Sequence, residues 1–163
     1  MFTRPVWAEV SRHRLLANYE KLRHAAGSGA DLMPVVKANA YGHGLVACAP
    51  LLASAGAQWL GVTGAEEGAS VRAVCPQARI LLLSGIFPGE ADIVIDQGLT
   101  AAVWEPWQLD LLEAAAAARQ MPAASLAVHL EIDTGMSRQG VRVVGTDVSA
   151  EAAAVLRRFH PGS

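Results

Sequence analysis

The sequence predicts an α/β protein of about five β/α units laid end to end. Three observations lead there. Apolar runs of strand length alternate with helix-length runs along the 163-residue chain. The strand-like runs are mostly continuous in apolar character, the pattern of a parallel sheet covered by helices. Hydrophobic residues make up 52% of the chain and charged residues 17%, which suits a buried core and argues against disorder.

Each element follows in order. A helix is expected over 11–25, with Ser11 as its cap. An apolar strand over 32–37 comes next, then a helix over 45–55 stopped by Gly56. Strand 59–63, helix 65–74 and strand 79–84 make the next repeats. Helix 89–97 stops at Gly98, before a strand over 100–104. The helix over 105–120 contains the Ala-rich stretch 111–119, which favours helix and carries no chemistry. A strand over 125–133 and a helix over 149–159 close the series, with Ser149 as a cap and Asp147 just ahead. Two architectures fit this order: a five-stranded doubly wound sheet, or part of a (β/α)8 barrel. Pattern alone does not choose between them.

Bulk properties exclude several classes. A net charge of -2 gives no basic footprint for nucleic acid. Cys48 and Cys75 lie in apolar stretches without metal-ligand spacing, so they read as buried free thiols in a reducing compartment, and no metal site is expected. Arg4, Glu9, Arg12 and Arg14 interrupt any apolar leader. No apolar run is long enough to span a bilayer, and a cytoplasmic location is expected.

Chemistry concentrates at Lys37. The chain has two lysines, and Lys21 lies in a polar helical stretch suited to a solvated surface. Lys37 instead ends the apolar run Leu32-Met33-Pro34-Val35-Val36. An amine at the end of a buried strand is costly unless it is paired or chemically used, and an imine-forming lysine fits the placement. Gly42 and Gly44 then allow a tight turn and close approach to a ligand. Asn39 and His43 are expected to shape this turn, not to react.

The second polar concentration is Val128 to Val141. Alternation along the strand puts His129, Glu131 and Asp133 on one face and Val128, Leu130 and Ile132 on the other. Arg138 follows on the loop and offers a fixed fork of donors to a carboxylate.

Both segments resemble one family. Val36-Lys37-Ala38-Asn39-Ala40-Tyr41-Gly42-His43-Gly44 resembles the pyridoxal-phosphate attachment segment of alanine racemases, and Val128-His129-Leu130-Glu131-Ile132-Asp133-Thr134-Gly135-Met136-Ser137-Arg138-Gln139-Gly140-Val141 resembles their strand and arginine-bearing loop. The opening Arg4-Pro5-Val6-Trp7-Ala8-Glu9-Val10 is similar too, so the likeness runs from residue 4 to at least 141. It implies a (β/α)8 TIM-type barrel followed by a β-rich carboxy-terminal domain that this sequence lacks. Residues 1–163 are then expected to be the amino-terminal part of the barrel domain, truncated, with its chemistry at the carboxyl ends of the strands.

The resemblance also implies roles. Lys37 would hold pyridoxal 5'-phosphate as an imine and act as the base serving the D-alanine proton. Tyr41 would hydrogen-bond the cofactor phosphate. Arg138 would bind substrate close to the cofactor, with Met136 lining the pocket or touching substrate through its backbone. Glu131 departs from the family, where many members have a lysine carrying a carbamate that pairs with the loop arginine. The expectation is that Glu131 supplies that negative charge and orients Arg138.

The implied enzyme is a homodimeric isomerase that interconverts L- and D-alanine for bacterial peptidoglycan. Its second base, a tyrosine from the partner's carboxy-terminal domain, matches neither Tyr19 nor Tyr41, so the chain alone is expected to be inactive. An unclosed barrel is also expected to leave it marginally stable. Two alternatives remain: another amino-acid racemase, decarboxylase or aldolase on the same barrel, or a non-catalytic cofactor-homeostasis barrel. The Tyr41-Gly42-His43-Gly44 ending favours alanine racemase.

Overall fold

The computed structural model describes residues 6–122, 125–144, 147–148 and 150–159. Its centre is a parallel sheet of β1 (Trp59–Val62), β2 (Arg79–Leu82), β3 (Thr100–Val103) and β4 (Val128–Leu130), in that spatial order. Trp59 stands opposite Arg79, Leu81 opposite Thr100, and Ala101 opposite Val128. The helical elements are α1 (Arg12–Ala26), the one-turn α2 (Lys37–Tyr41), α3 (Leu45–Ser54), α4 (Ala65–Val74), α5 (Ala91–Asp96), α6 (Pro106–Ala118) and α7 (Ala150–Phe159). A doubly wound sheet reverses strand order at a switch point. No reversal occurs among the described strands, so that alternative falls.

Apart from α2, which was expected as a turn, the helices lie within a residue or two of their expected ranges. Ser11 caps α1, its hydroxyl accepting from Arg14 N–H at 3.3 Å. Gly56 and Gly98 follow α3 and α5 with positive φ, as expected of helix stops. Ser149 lies outside the described residues, as do Arg4 and Pro5.

Two strands differ from expectation. The run over 32–37 pairs only at Val35, a single parallel bridge to Gly61. Val36 N–H donates to Gly61 O at 2.8 Å and Gly61 N–H to Pro34 O at 2.9 Å. The chain then leaves the sheet at Lys37 for α2, so the lysine opens a turn and does not end a strand. The run over 125–133 splits at Glu131. Its N–H donates to Val103 O at 3.0 Å, continuing the main sheet, while its carbonyl accepts from Val141 N–H at 2.7 Å. Pairing thereby passes to a small second sheet, in which β5 (Ile132–Asp133) runs parallel to β6 (Val141–Val144) and β6 antiparallel to β7 (Asp147–Val148). Neither β6 nor β7 was expected from sequence. Ile132, placed on the apolar face with Val128 and Leu130, is 50% exposed beside this change of pairing.

The core lies between sheet and helices. Leu60, Val62, Ile80, Leu82, Ala101 and Val103 share the helix-facing side and are at most 1% exposed. Each large aliphatic among them contributes about 1.5–3 kcal/mol by burial. The opposite face carries Trp59, Gly61, Leu81 and His129. Trp59 on β1 meets the His129 ring on β4 at 5.2 Å. Three strand spacings, roughly 14 Å in a flat sheet, separate those strands. The sheet therefore curls toward this inner face. Gly61 permits the curl's tight inner packing, since a Cβ there would lie 3.2 Å from Leu83 and 3.3 Å from Val35. The sheet is open among the described residues: Val35 lies at one edge, β4 at the other, and the barrel is not closed.

Candidate active site

Lys37 sits half-buried where the chain turns off the sheet. The four residues after it, Ala38, Asn39, Ala40 and Tyr41, all have φ between 50° and 55°. They form one turn of left-handed helix, a conformation that L-residues adopt at a cost. Ala40 N–H donates to Val36 O at 2.8 Å, Gly42 N–H to Ala38 O at 3.0 Å and Gly44 N–H to Asn39 O at 3.0 Å. The Asn39 side chain accepts from Leu45 N–H at 2.8 Å, joining the turn to the start of α3. His43 Nδ1 lies 2.9 Å from Ala40 O. Asn39 and His43 therefore shape the turn, as expected. Tyr41 is 59% exposed.

A residue that sequence reading missed holds this turn to the sheet. Glu67, in the first turn of α4, accepts from Ala38 N–H at 2.7 Å with Oε1 and from Thr63 N–H at 2.8 Å with Oε2. Thr63 follows β1 directly. The signal was faint: a carboxylate one turn into a helix after a strand reads by default as a helix-dipole partner.

The arginine loop is built on Asp133. Its Oδ1 accepts from Gly135 N–H and Ser137 N–H, both at 2.9 Å. These bonds hold the Asp133 carboxyl below the usual aspartate range, with a smaller contribution from the nearby Arg142 charge. Arg138 and Met136 are exposed on this loop, Met136 at 76%. Arg138 makes no ion pair among the described residues. Glu131 instead accepts from Gln139 Nε2 at 2.7 Å, and the same nitrogen lies 2.7 Å from Leu83 O as a second donation. The carboxylate thus anchors the residue beside Arg138 and not Arg138 itself. Of the expected polar row, Glu131 holds Gln139, which also reaches Leu83 O just past β2, Asp133 folds the loop, and His129 sits exposed beside Trp59.

The two segments meet the same rim. From Ala38 the hydrogen bonds run through Glu67 to Thr63, and Ser84 N–H donates to Thr63 O at 3.2 Å. The neighbouring Leu83 carbonyl receives Gln139, which holds Glu131. Lys37 and Arg138, far apart in sequence, therefore stand on segments joined along the carboxyl ends of the strands. A shallow pocket lined by Ala53, Ala57, Gln58, Gln77, Ala78 and Arg79 lies by the starts of β1 and β2, away from these groups. Among the described residues no three His, Cys, Asp or Glu side chains cluster to hold a metal, and no helix is long and apolar enough to cross a membrane. Cys48 and Cys75 are buried free thiols.

Comparison with known proteins gives a consistent family. The profile of the alanine racemase N-terminal domain matches residues 10–161. An alanine racemase of Symbiobacterium thermophilum is 40% identical over 139 residues, covering 85% of this chain and 36% of that protein. One from Geobacillus stearothermophilus is 38% identical over 141 residues, 86% of this chain and 35% of that protein. The chain therefore spans about a third of these relatives' length. Among solved structures, the alanine racemase of Streptomyces coelicolor superposes with a TM-score of 0.75 at 34% identity, covering 93% of this chain and 39% of that one. The Bartonella henselae alanine racemase, solved with covalently bound pyridoxal phosphate, gives a TM-score of 0.69 at 29% identity over 80% of this chain and 36% of that one.

Proposed function

This chain belongs to the alanine racemase N-terminal domain family, and we propose that it is the lysine-bearing part of a pyridoxal-phosphate-dependent isomerase that interconverts L- and D-alanine. The observation that carries the reading is the shared rim: the Lys37 turn and the Arg138 loop are joined by hydrogen bonds at the carboxyl ends of one parallel sheet. That is the end at which barrel enzymes place their chemistry. Sequential strand order and the inward curl support a (β/α)8-type wall.

The residues present suit the cofactor. Lys37 is half-buried and makes no ion pair among the described residues, so its amine is not already committed. Lys37 Nζ would hold the cofactor and carry the α-proton on one face of the substrate. The Tyr41 hydroxyl would donate to the phosphate. The Arg138 guanidinium would bind the substrate carboxylate near the cofactor, with Met136 beside it. Glu131 would act on Arg138 through Gln139 and the loop backbone. When bound, pyridoxal phosphate supplies an electron sink for the pair left by the departing proton.

Racemisation needs a second acid/base group on the opposite face. By the family resemblance that group is a tyrosine from the partner subunit's carboxy-terminal domain, and Tyr19, only 6% exposed within the core, does not match it. The working form is a cytoplasmic homodimer supplying D-alanine for peptidoglycan, and this chain alone is inactive. The test is cofactor trapping: incubate the chain with pyridoxal phosphate, reduce with borohydride and map the modified peptide. Selective modification at Lys37 over the exposed Lys21 is expected. Equal or absent labelling would overturn the assignment.

A further inference from the structure

Glu67 sits at the junction of the lysine turn and the sheet, and its two carboxylate oxygens serve two different segments. A glutamate in the first turn of a helix commonly reaches back to the N–H groups just ahead of that helix. The Thr63 bond is of that kind. The Ala38 bond is not: it reaches 29 residues back in sequence, to the peptide immediately after Lys37. Holding the Ala38 N–H fixes the plane of the peptide that Lys37 shares with Ala38, and with it the direction in which Lys37 leaves the backbone. A carboxylate suits the task because both its oxygens only accept, whereas an amide would present its NH2 to one of the two N–H groups.

We propose that Glu67 is the positioning residue for Lys37: by accepting the Ala38 and Thr63 N–H groups together, it locks the left-handed lysine turn to the rim of β1 and sets the amine for cofactor capture. This rests on the reading of Lys37 as the cofactor lysine. Glu67 forms no bond to the cofactor and moves no proton. Its effect passes through the Lys37 backbone.

The experiment compares the chain with its E67Q variant by two readouts. In borohydride trapping with pyridoxal phosphate, Lys21 serves as an internal reference on α1. Losing one charge-assisted hydrogen bond and facing an NH2 to the other donor should lower Lys37 labelling about tenfold relative to Lys21. Amide hydrogen exchange should accelerate at Ala38 and Thr63 while β2 and β3 keep their protection. An unchanged labelling ratio with unchanged exchange overturns the proposal. Acceleration spread evenly over every strand also overturns it, because Glu67 would then be merely structural. If the wild-type chain shows no preference for Lys37, the proposed function is what fails, and exchange at Ala38 still decides for or against the clamp. Should E67Q fail to fold, the wild-type chain decides: an unprotected Ala38 amide overturns the proposal.

Discussion

Cutting the contact between Gln139 and Glu131 should loosen the Arg138 loop, and the structure sets the size of the effect. Gln139 Nε2 donates to Glu131 Oε2 at 2.7 Å, and both residues are half-buried. A hydrogen bond to a charged group contributes about 1.5–3 kcal/mol, and partial exposure puts this one toward the low end. A double-mutant cycle with Glu131→Ala and Gln139→Ala should therefore return a coupling of about 1–2 kcal/mol. The companion cycle, Glu131→Ala with Arg138→Ala, should return less than about 0.5 kcal/mol, because those side chains share no hydrogen bond or ion pair among the described residues. The assay is urea unfolding of each set at fixed pH and salt, read as free energy extrapolated to water. A small 131–139 coupling, or a larger 131–138 coupling, would refute the assignment and restore the direct charge pairing that the sequence suggests.

Two further outcomes are expected of the same loop. Gly140→Ala would place a Cβ 2.7 Å from Asp133 N and 3.0 Å from Ile132 C at a φ of 105°. Those are backbone atoms with nowhere to move, so thermal or urea unfolding should show a loss of about 2–4 kcal/mol, or the loop should detach and lose protection at Val141 N–H. Asp133 gives a pH dependence: its folded carboxyl lies below the usual value of 3.8, so its stabilisation is present above that value and lost as pH falls through the folded one. Proteolysis of the 133–140 segment should therefore rise in acid below about pH 4, and Asp133→Asn should flatten that dependence.

The legible parts were those governed by local rules. Helix ranges followed from caps and stops such as Ser11, Gly56 and Gly98, each acting within a turn of its own position. Lys37, Tyr41 and Arg138 were singled out as candidates because their segments form long, distinctive motifs. Glu67 and Gln139 were not found, because their partners lie 29 and 56 residues away and only the fold brings them together. The left-handed turn was equally hidden: of Ala38, Asn39, Ala40 and Tyr41, only asparagine leans toward that conformation. The β5–β6 pairing was missed because the pairing change at Glu131 depends on which neighbour its carbonyl meets.

That left-handed turn also says something about timing. Each of its residues opposes the handedness natural to L-amino acids by roughly 1–2 kcal/mol, so the turn has little tendency to form unaided. Its clamp is made later: during synthesis the Lys37 segment leaves the ribosome well before Glu67 does, and β1, with Thr63 just after it, comes between them. The lysine must therefore spend its early existence on an unformed stretch of chain. It acquires its orientation only when α4 docks, so the nascent chain cannot commit the amine before the first β/α repeat after it is in place.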